Sequence, residues 1–265
     1  MYKLIAIDLD DTLLNDDNEI SSATKEALVA AAEQGVILTL ATGRMYASAA
    51  AIAAGLGLAV PLITYQGALV KHPQDGAVLY QRDVPNDVAA GVYEYCKSHG
   101  LHLQAYVNDQ LYVAEENDKV ISYSLLSKIP YIVEPDFAAI LQQPQTKLLM
   151  IDDPDRLDIA ALELNKLFGD KAHITKSKPH FLEVMHAEGT KGSALKFLAN
   201  YFGCSIEETI AIGDSWNDHD MVEVAGLGVA VANAVDALKT VADYITASNN
   251  EDGVKQVIDR FILNS

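Results

Sequence analysis

Two aspartates one residue apart, Asp8 and Asp10, follow a short apolar run at the start of the chain. Strand alternation points both side chains the same way, just past the end of a buried strand. In open parallel sheets that carboxyl edge is where ligands bind. Two carboxylates about 4 Å apart repel by roughly 4 kcal/mol at an effective dielectric near 20. Either a cation sits between them or one holds a proton. Both outcomes are useful: one acid becomes a nucleophile beside a metal, the other a proton donor. Taken alone, the pair reads more readily as an acidic turn. A calcium loop is disfavoured, because no glycine stands at its sixth position.

Three further clusters share this placement. Thr42-Gly43-Arg44 offers a hydroxyl, a glycine and a helix start after a second apolar run, which suits phosphate and equally suits an ordinary N-cap. In Gly189-Thr190-Lys191-Gly192 the lysine lies in a first helical turn, where the macrodipole disfavours a cation by ~0.3–1 kcal/mol. A bound anion or a neighbouring carboxylate removes that penalty. In Gly213-Asp214-Ser215-Trp216-Asn217-Asp218, acids again follow a buried apolar strand, and hard oxygen ligands there suit Mg²⁺.

The elements that position these residues alternate between strand and helix. Residues 3–9, 36–41, 209–212 and 227–231 read as buried strands, and 23–34, 191–202, 218–225 and 234–242 as helices. Residues 62–65 read as a third short strand, followed by a hairpin around Asp75-Gly76. The middle of the chain has its own set: helices over 86–99, 117–127 and 154–168, a hairpin across Asn108-Asp109, and strands over 147–151 and 180–185. The expected architecture is α/β: a Rossmann-like parallel-sheet core from residues 1–83 and 189–265, with an α/β cap inserted at 84–188.

The ordered clusters DLDDTLL, TGR, KGxAL and GDxxND resemble the haloacid dehalogenase superfamily, in its Cof-type branch, which contains many sugar phosphatases. The resemblance spans the whole chain, including the long insertion, which is similar to that branch's cap. It implies Asp8 as the nucleophile that forms an aspartyl-phosphate and Asp10 as the general acid, then base. It implies Mg²⁺ held by Asp8, the Asp10 backbone carbonyl and Asp214. It implies Thr42, Gly43, Lys191 and Asn217 around the phosphoryl oxygens, with Asp218 orienting metal waters or Lys191. Arg44, His180 and Glu183 are candidates for substrate contact, His180 and Glu183 from the cap's final strand. Tyr106, Tyr112, Tyr123 and Tyr131 read as packing residues. Two departures touch specificity: Gln66-Gly67-Ala68 stands where family members often carry Asn-Gly-Ala, and Trp216 fills a position that is usually polar.

The implied activity is Mg²⁺-dependent hydrolysis of a small phosphorylated metabolite, such as a sugar phosphate. A phosphosugar mutase or phosphotransferase is the alternative, and a non-catalytic phosphometabolite sensor a more distant one. A formal net charge of -18 opposes nucleic acid as a partner. It would also repel an anionic substrate, so the few basic residues in special places matter. Of 265 residues, half are hydrophobic, enough for a sizeable core, and no apolar run is long enough to span a membrane. Cys96 and Cys204 lack CxxC partners and read as reduced thiols. The expected setting is cytoplasmic, and nothing calls for an obligate protein partner.

Overall fold

The apolar run before Asp8 forms the strand Leu4–Ile7, paired on both sides in a five-stranded parallel sheet. A computed structural model describes residues 1–264. Across the sheet the strands run Tyr244–Ile245, Leu227–Ala230, Thr209–Gly213, Leu4–Ile7 and Ile37–Leu40. Leu4, Ile5, Ala6 and Ile7 are all buried, as in a parallel strand covered on both faces. Helices Ser22–Glu33 and Lys191–Tyr201 add Ala27, Leu28, Ala31, Ala194, Leu195 and Leu198 to the same core. Their starts carry the hydroxyl caps that break the ladder cleanly. Ser21 accepts from the Thr24 amide at 3.0 Å, and Thr190 from that of Ser193 at 3.1 Å.

Register decides what meets at the sheet's edge. Ile7 lies opposite both Ile212 and Leu40. The residues that follow, Asp8, Gly213-Asp214 and Ala41-Thr42, therefore leave the sheet side by side.

The strand expected over 62–65 forms as Leu62–Thr64, but it does not extend the parallel sheet. It joins Leu69–Lys71 and Val78–Gln81 in an antiparallel sheet, tied to the core by the bridge between Ala41 and Ile63. Residues 102–186 build a six-stranded sheet in the order Ala172–Lys178, Phe181–His186, Lys147–Ile151, His102–Val107, Gln110–Val113 and Tyr131–Val133. Helices Asn86–His99 and Pro154–Phe168 pack Val88, Val92, Leu157 and Leu164 into a second apolar core beneath it. Several elements were not expected. Ala172–Lys178 alternates with lysine, threonine and serine and lacks an apolar face in sequence. Tyr131–Val133 and Tyr244–Ile245 are too short for periodicity to register. Both cysteines are free and buried, and among the described residues no helix is long and apolar enough to cross a membrane.

His102 opens a central strand of the second sheet at 9% exposure. Its Nδ1 faces the Asn117 amide nitrogen at 3.0 Å, and the Asn117 oxygen is committed to capping the next helix. Nδ1 must therefore accept. Burial first, then the Lys119 charge, push the imidazole down from 6.5 to about 4. The folded state thus binds fewer protons than the unfolded one between these values. Stability from this group is present above pH 6.5 and is lost as pH falls toward 4, by up to ~3 kcal/mol. Unfolding midpoints measured from pH 7 to pH 4 should fall more gently in His102→Gln than in the native chain.

Candidate active site

Lys191 is the hub of the site. Its side chain is 0% exposed, and its Nζ donates to Asp8 Oδ1 at 2.6 Å and to Asp218 Oδ1 at 2.5 Å. It reaches this position from the first residue of its helix, which rests on the Tyr65–Gly67 turn. Gly67 permits that approach. Its φ is +99°, and a Cβ there would run into the Thr190 carbonyl. The second Asp218 oxygen accepts from the amides of Asp214 and Ser215 at 3.0 and 3.1 Å. Asp214 in turn accepts at 3.0 Å from Thr12.

The charges in this cluster do not balance. Asp8, Asp214 and Asp218 offer ligand oxygens within 4.8 Å of one another, against the single ammonium of Lys191. Burial alone would lower Lys191, but Asp218 and Asp8 outweigh it and hold the ammonium charged. Burial lifts Asp8 well above the usual carboxylate range. Lys191 opposes this, while Asp218, Asp214 and Asp10 add to it. Burial and the neighbouring Asp218 push Asp214 up to about 7. Three carboxylates against one ammonium leave two negative charges, which a divalent cation would neutralise. A hard-oxygen donor set of this kind fits Mg²⁺. Asp8 and Asp214 have oxygens free to hold it, whereas both Asp218 oxygens are already engaged.

Asp10 is paired separately. Arg44 donates to it twice, from Nε at 2.9 Å and from Nη2 at 2.7 Å. Burial raises the Asp10 carboxyl, but this bidentate pair prevails and holds it below the ordinary range. In this conformation Asp10 is an ionised carboxylate, and Arg44 is committed to it rather than free for substrate. Thr42 is buried, and its hydroxyl accepts from the Arg44 amide at 3.1 Å. A Cβ on Gly43 would collide with the Gln66 amide, so only glycine admits Gln66 to the cleft.

The inserted sheet closes the cleft from the other side. Lys147, buried against the Tyr106 ring, donates to the Gly43 carbonyl at 2.8 Å and to Glu183 at 3.0 Å. Glu183 also accepts from Ser177 and from the Gln66 amide. Because a carboxylate only accepts, it orients Gln66, whose oxygen then takes the Asn217 amide at 2.9 Å. Asn217 Oδ1 is left buried without a partner inside the cleft. Such an acceptor calls for a donor from outside the protein. Asp109, at the hairpin tip, caps the helix Tyr46–Gly55 by accepting from the amides of Tyr46 and Ala47, both at 3.1 Å.

Of the residues singled out in the sequence, the structure gathers Asp8, Asp10, Gly43, Arg44, Asp214, Asn217 and Glu183 around one cleft, with Thr42, Lys191 and Asp218 behind it. His180 is not among them. It lies in the exposed turn before Phe181–His186, because that strand starts one residue later than expected and a further strand precedes the turn. Trp216 is 44% exposed and also lies outside the cleft. Tyr123, read as packing, lines the cleft. Lys147, Thr12 and Ser177 were missed. A charge opening an otherwise apolar strand, as in Lys147-Leu-Leu-Met-Ile151, was the available signal.

A family model of the haloacid dehalogenase-like hydrolases matches residues 5–258. The chain belongs to this family. The hydrolase is 30% identical to the 5-amino-6-(5-phospho-D-ribitylamino)uracil phosphatase YitU of Bacillus subtilis, over 97% of each chain. A haloacid dehalogenase-like hydrolase from Bacteroides thetaiotaomicron superposes with a TM-score of 0.86 at 33% identity, covering 99% of this chain and 100% of that one. The subclass IIB sugar phosphatase BT4131 superposes with a TM-score of 0.87 at 25% identity, over 98% of each chain. The expected family and α/β fold are thus matched along the whole chain.

Proposed function

We propose that this hydrolase is a Mg²⁺-dependent phosphatase of small phosphorylated metabolites, sugar phosphates among them, acting through an aspartyl-phosphate on Asp8. The observation that carries this reading is the Lys191 ammonium bridging Asp8 and Asp218 beside an unbalanced third carboxylate. Residues 1–83 and 189–265 form the catalytic core in this reading, and residues 84–188 the cap that excludes water.

The free Asp8 oxygen attacks phosphorus, the ester bond to the leaving alcohol breaks, and Asp10 delivers a proton to the departing oxygen. Arg44 must first release Asp10 for it to carry that proton. Asp10 then takes a proton from water, which attacks the aspartyl-phosphate, frees inorganic phosphate and restores Asp8. Lys191, the Thr42 hydroxyl and the Gly43 backbone orient the phosphoryl oxygens, and Asn217 joins them only once its amide nitrogen leaves Gln66. When bound, Mg²⁺ supplies the positive charge that keeps Asp8 anionic next to an anionic substrate.

Metal-depleted enzyme is expected to lose turnover of an aryl phosphate and regain it with Mg²⁺. Added Mg²⁺ should also raise the unfolding temperature, because it relieves repulsion among buried carboxylates. Full activity in rigorously metal-free enzyme would overturn the metal's part.

A further inference from the structure

The cleft around Asp8 is small, about 140 Å³. Pockets for metabolites ordinarily offer roughly 300–1,000 Å³. A phosphoryl group and the first atoms of an alcohol fill this one. The cleft does have an outlet. Asn18, Arg44, Leu126 and Ser127 wall both the cleft and a second cavity of about 1120 Å³, which lies between the helix Tyr46–Gly55 and the inserted sheet.

The junction and the rest of the cavity differ in chemistry. Three of the four residues at the junction are polar. The cavity's own walls include Ile52, Leu56, Leu111, Ile129, Pro130 and Ile132. Leu126 and Ile132 are among the exposed large hydrophobics of the molecule. Of its other charged lining residues, Asp109 is committed to the Tyr46 and Ala47 amides and the Tyr65 hydroxyl. The remaining Asp17, Glu19, Lys25 and Lys128 are two acids against two ammoniums, so neither sign prevails among these four. The strongest cation, Arg44, is held by Asp10. Among the described residues lining this cavity there is thus no cradle for a second phosphate, which opposes a bisphosphate ligand or a phosphomutase.

We propose that the leaving alcohol runs past Arg44 into this groove, so that the substrates are phosphomonoesters of an elongated, uncharged alcohol, polar near the ester and apolar at its far end. The inference rests on the phosphatase reading above. It favours alcohols longer than a hexose, because a compact sugar leaves the apolar walls unfilled.

The test uses two hydrolysis-resistant phosphonates on one short ethylene-glycol stem, one ending in a phenyl ring and one in a hydroxyl. Their binding to the full-length, Mg²⁺-loaded protein is measured by calorimetry. The phenyl-ended ligand is expected to bind at least about tenfold more tightly. In Ala51→Trp, a change at an exposed groove-wall position, and in Ile132→Asp on the opposite wall, that ratio should fall toward one. Equal affinity for the two ligands in the native protein, or an unchanged ratio in both variants, overturns the groove. Turnover of an aryl phosphate is followed in parallel. Its absence sinks the phosphatase reading, while the binding ratio still decides the groove.

Discussion

Replacing Asp8 by asparagine is expected to lower the turnover of an aryl phosphate by at least about four orders of magnitude while leaving the fold intact. An amide fills the same space but offers no lone pair basic enough to attack phosphorus. The residue is buried behind the strand Leu4–Ile7, and no other free carboxylate of the cleft is held at the same edge by Lys191. The fold should tolerate the change. Burial and the neighbouring aspartates already disfavour the Asp8 charge, so neutralising it removes repulsion along with the ion pair. Circular dichroism and the unfolding midpoint check the fold. Steady-state kinetics check the chemistry, and unchanged turnover would reject Asp8 as the nucleophile.

Lys191→Met should carry the largest cost in stability. It leaves Asp8 and Asp218 facing each other without their shared ammonium, at a site where both are buried. Removing one partner of a buried ion pair typically costs ~3–5 kcal/mol. In a chain of this size that corresponds to roughly 10 °C in unfolding temperature. The loss should shrink in acid. Without the ammonium, the Asp8 carboxyl rises further above its unfolded value, so the folded variant binds more protons than the unfolded one. Its stability then increases as pH falls from neutrality toward the usual aspartate range. Denaturant titrations at pH 7.5 and 5.5 measure both effects. A loss under ~1 kcal/mol that does not depend on pH would mean that Lys191 merely balances its own burial. On the proposed mechanism activity should vanish in either case, because Lys191 is the ammonium assigned to the phosphoryl oxygens.

The half of the candidate site at the edge of the parallel sheet was largely legible as a cluster in the sequence, and the reason is local. Asp8, Thr42 and Asp214 each follow an apolar run by one or two residues, and Lys191 opens a helix after a capping threonine. Such placements depend on neighbours in the chain, so strand alternation and capping rules reach them. The half contributed by the six-stranded sheet was less legible. Glu183 could be named, but its partners Lys147, Gln66 and Ser177 stand 36, 117 and 6 residues away. Nothing in a strand's own pattern tells which distant donor will meet a buried carboxylate. His180 was misplaced for a related reason. A one-residue difference in where a strand begins turns a side chain from a sheet face into a solvent-exposed turn.

The sequence by itself determined the fold class, the strand ends that carry the acids, and the family. The first two follow from short-range patterns of apolar and polar residues, and the family from the resemblance carried by DLDDTLL, TGR, KGxAL and GDxxND. Only the tertiary structure decided how the charges pair. It gave Arg44 to Asp10, divided Lys191 between Asp8 and Asp218, and left the third carboxylate, Asp214, without a cation. Ion pairing and amide orientation depend on distances of a few ångströms between residues far apart in the chain, and those distances exist only once the sheets have closed on each other.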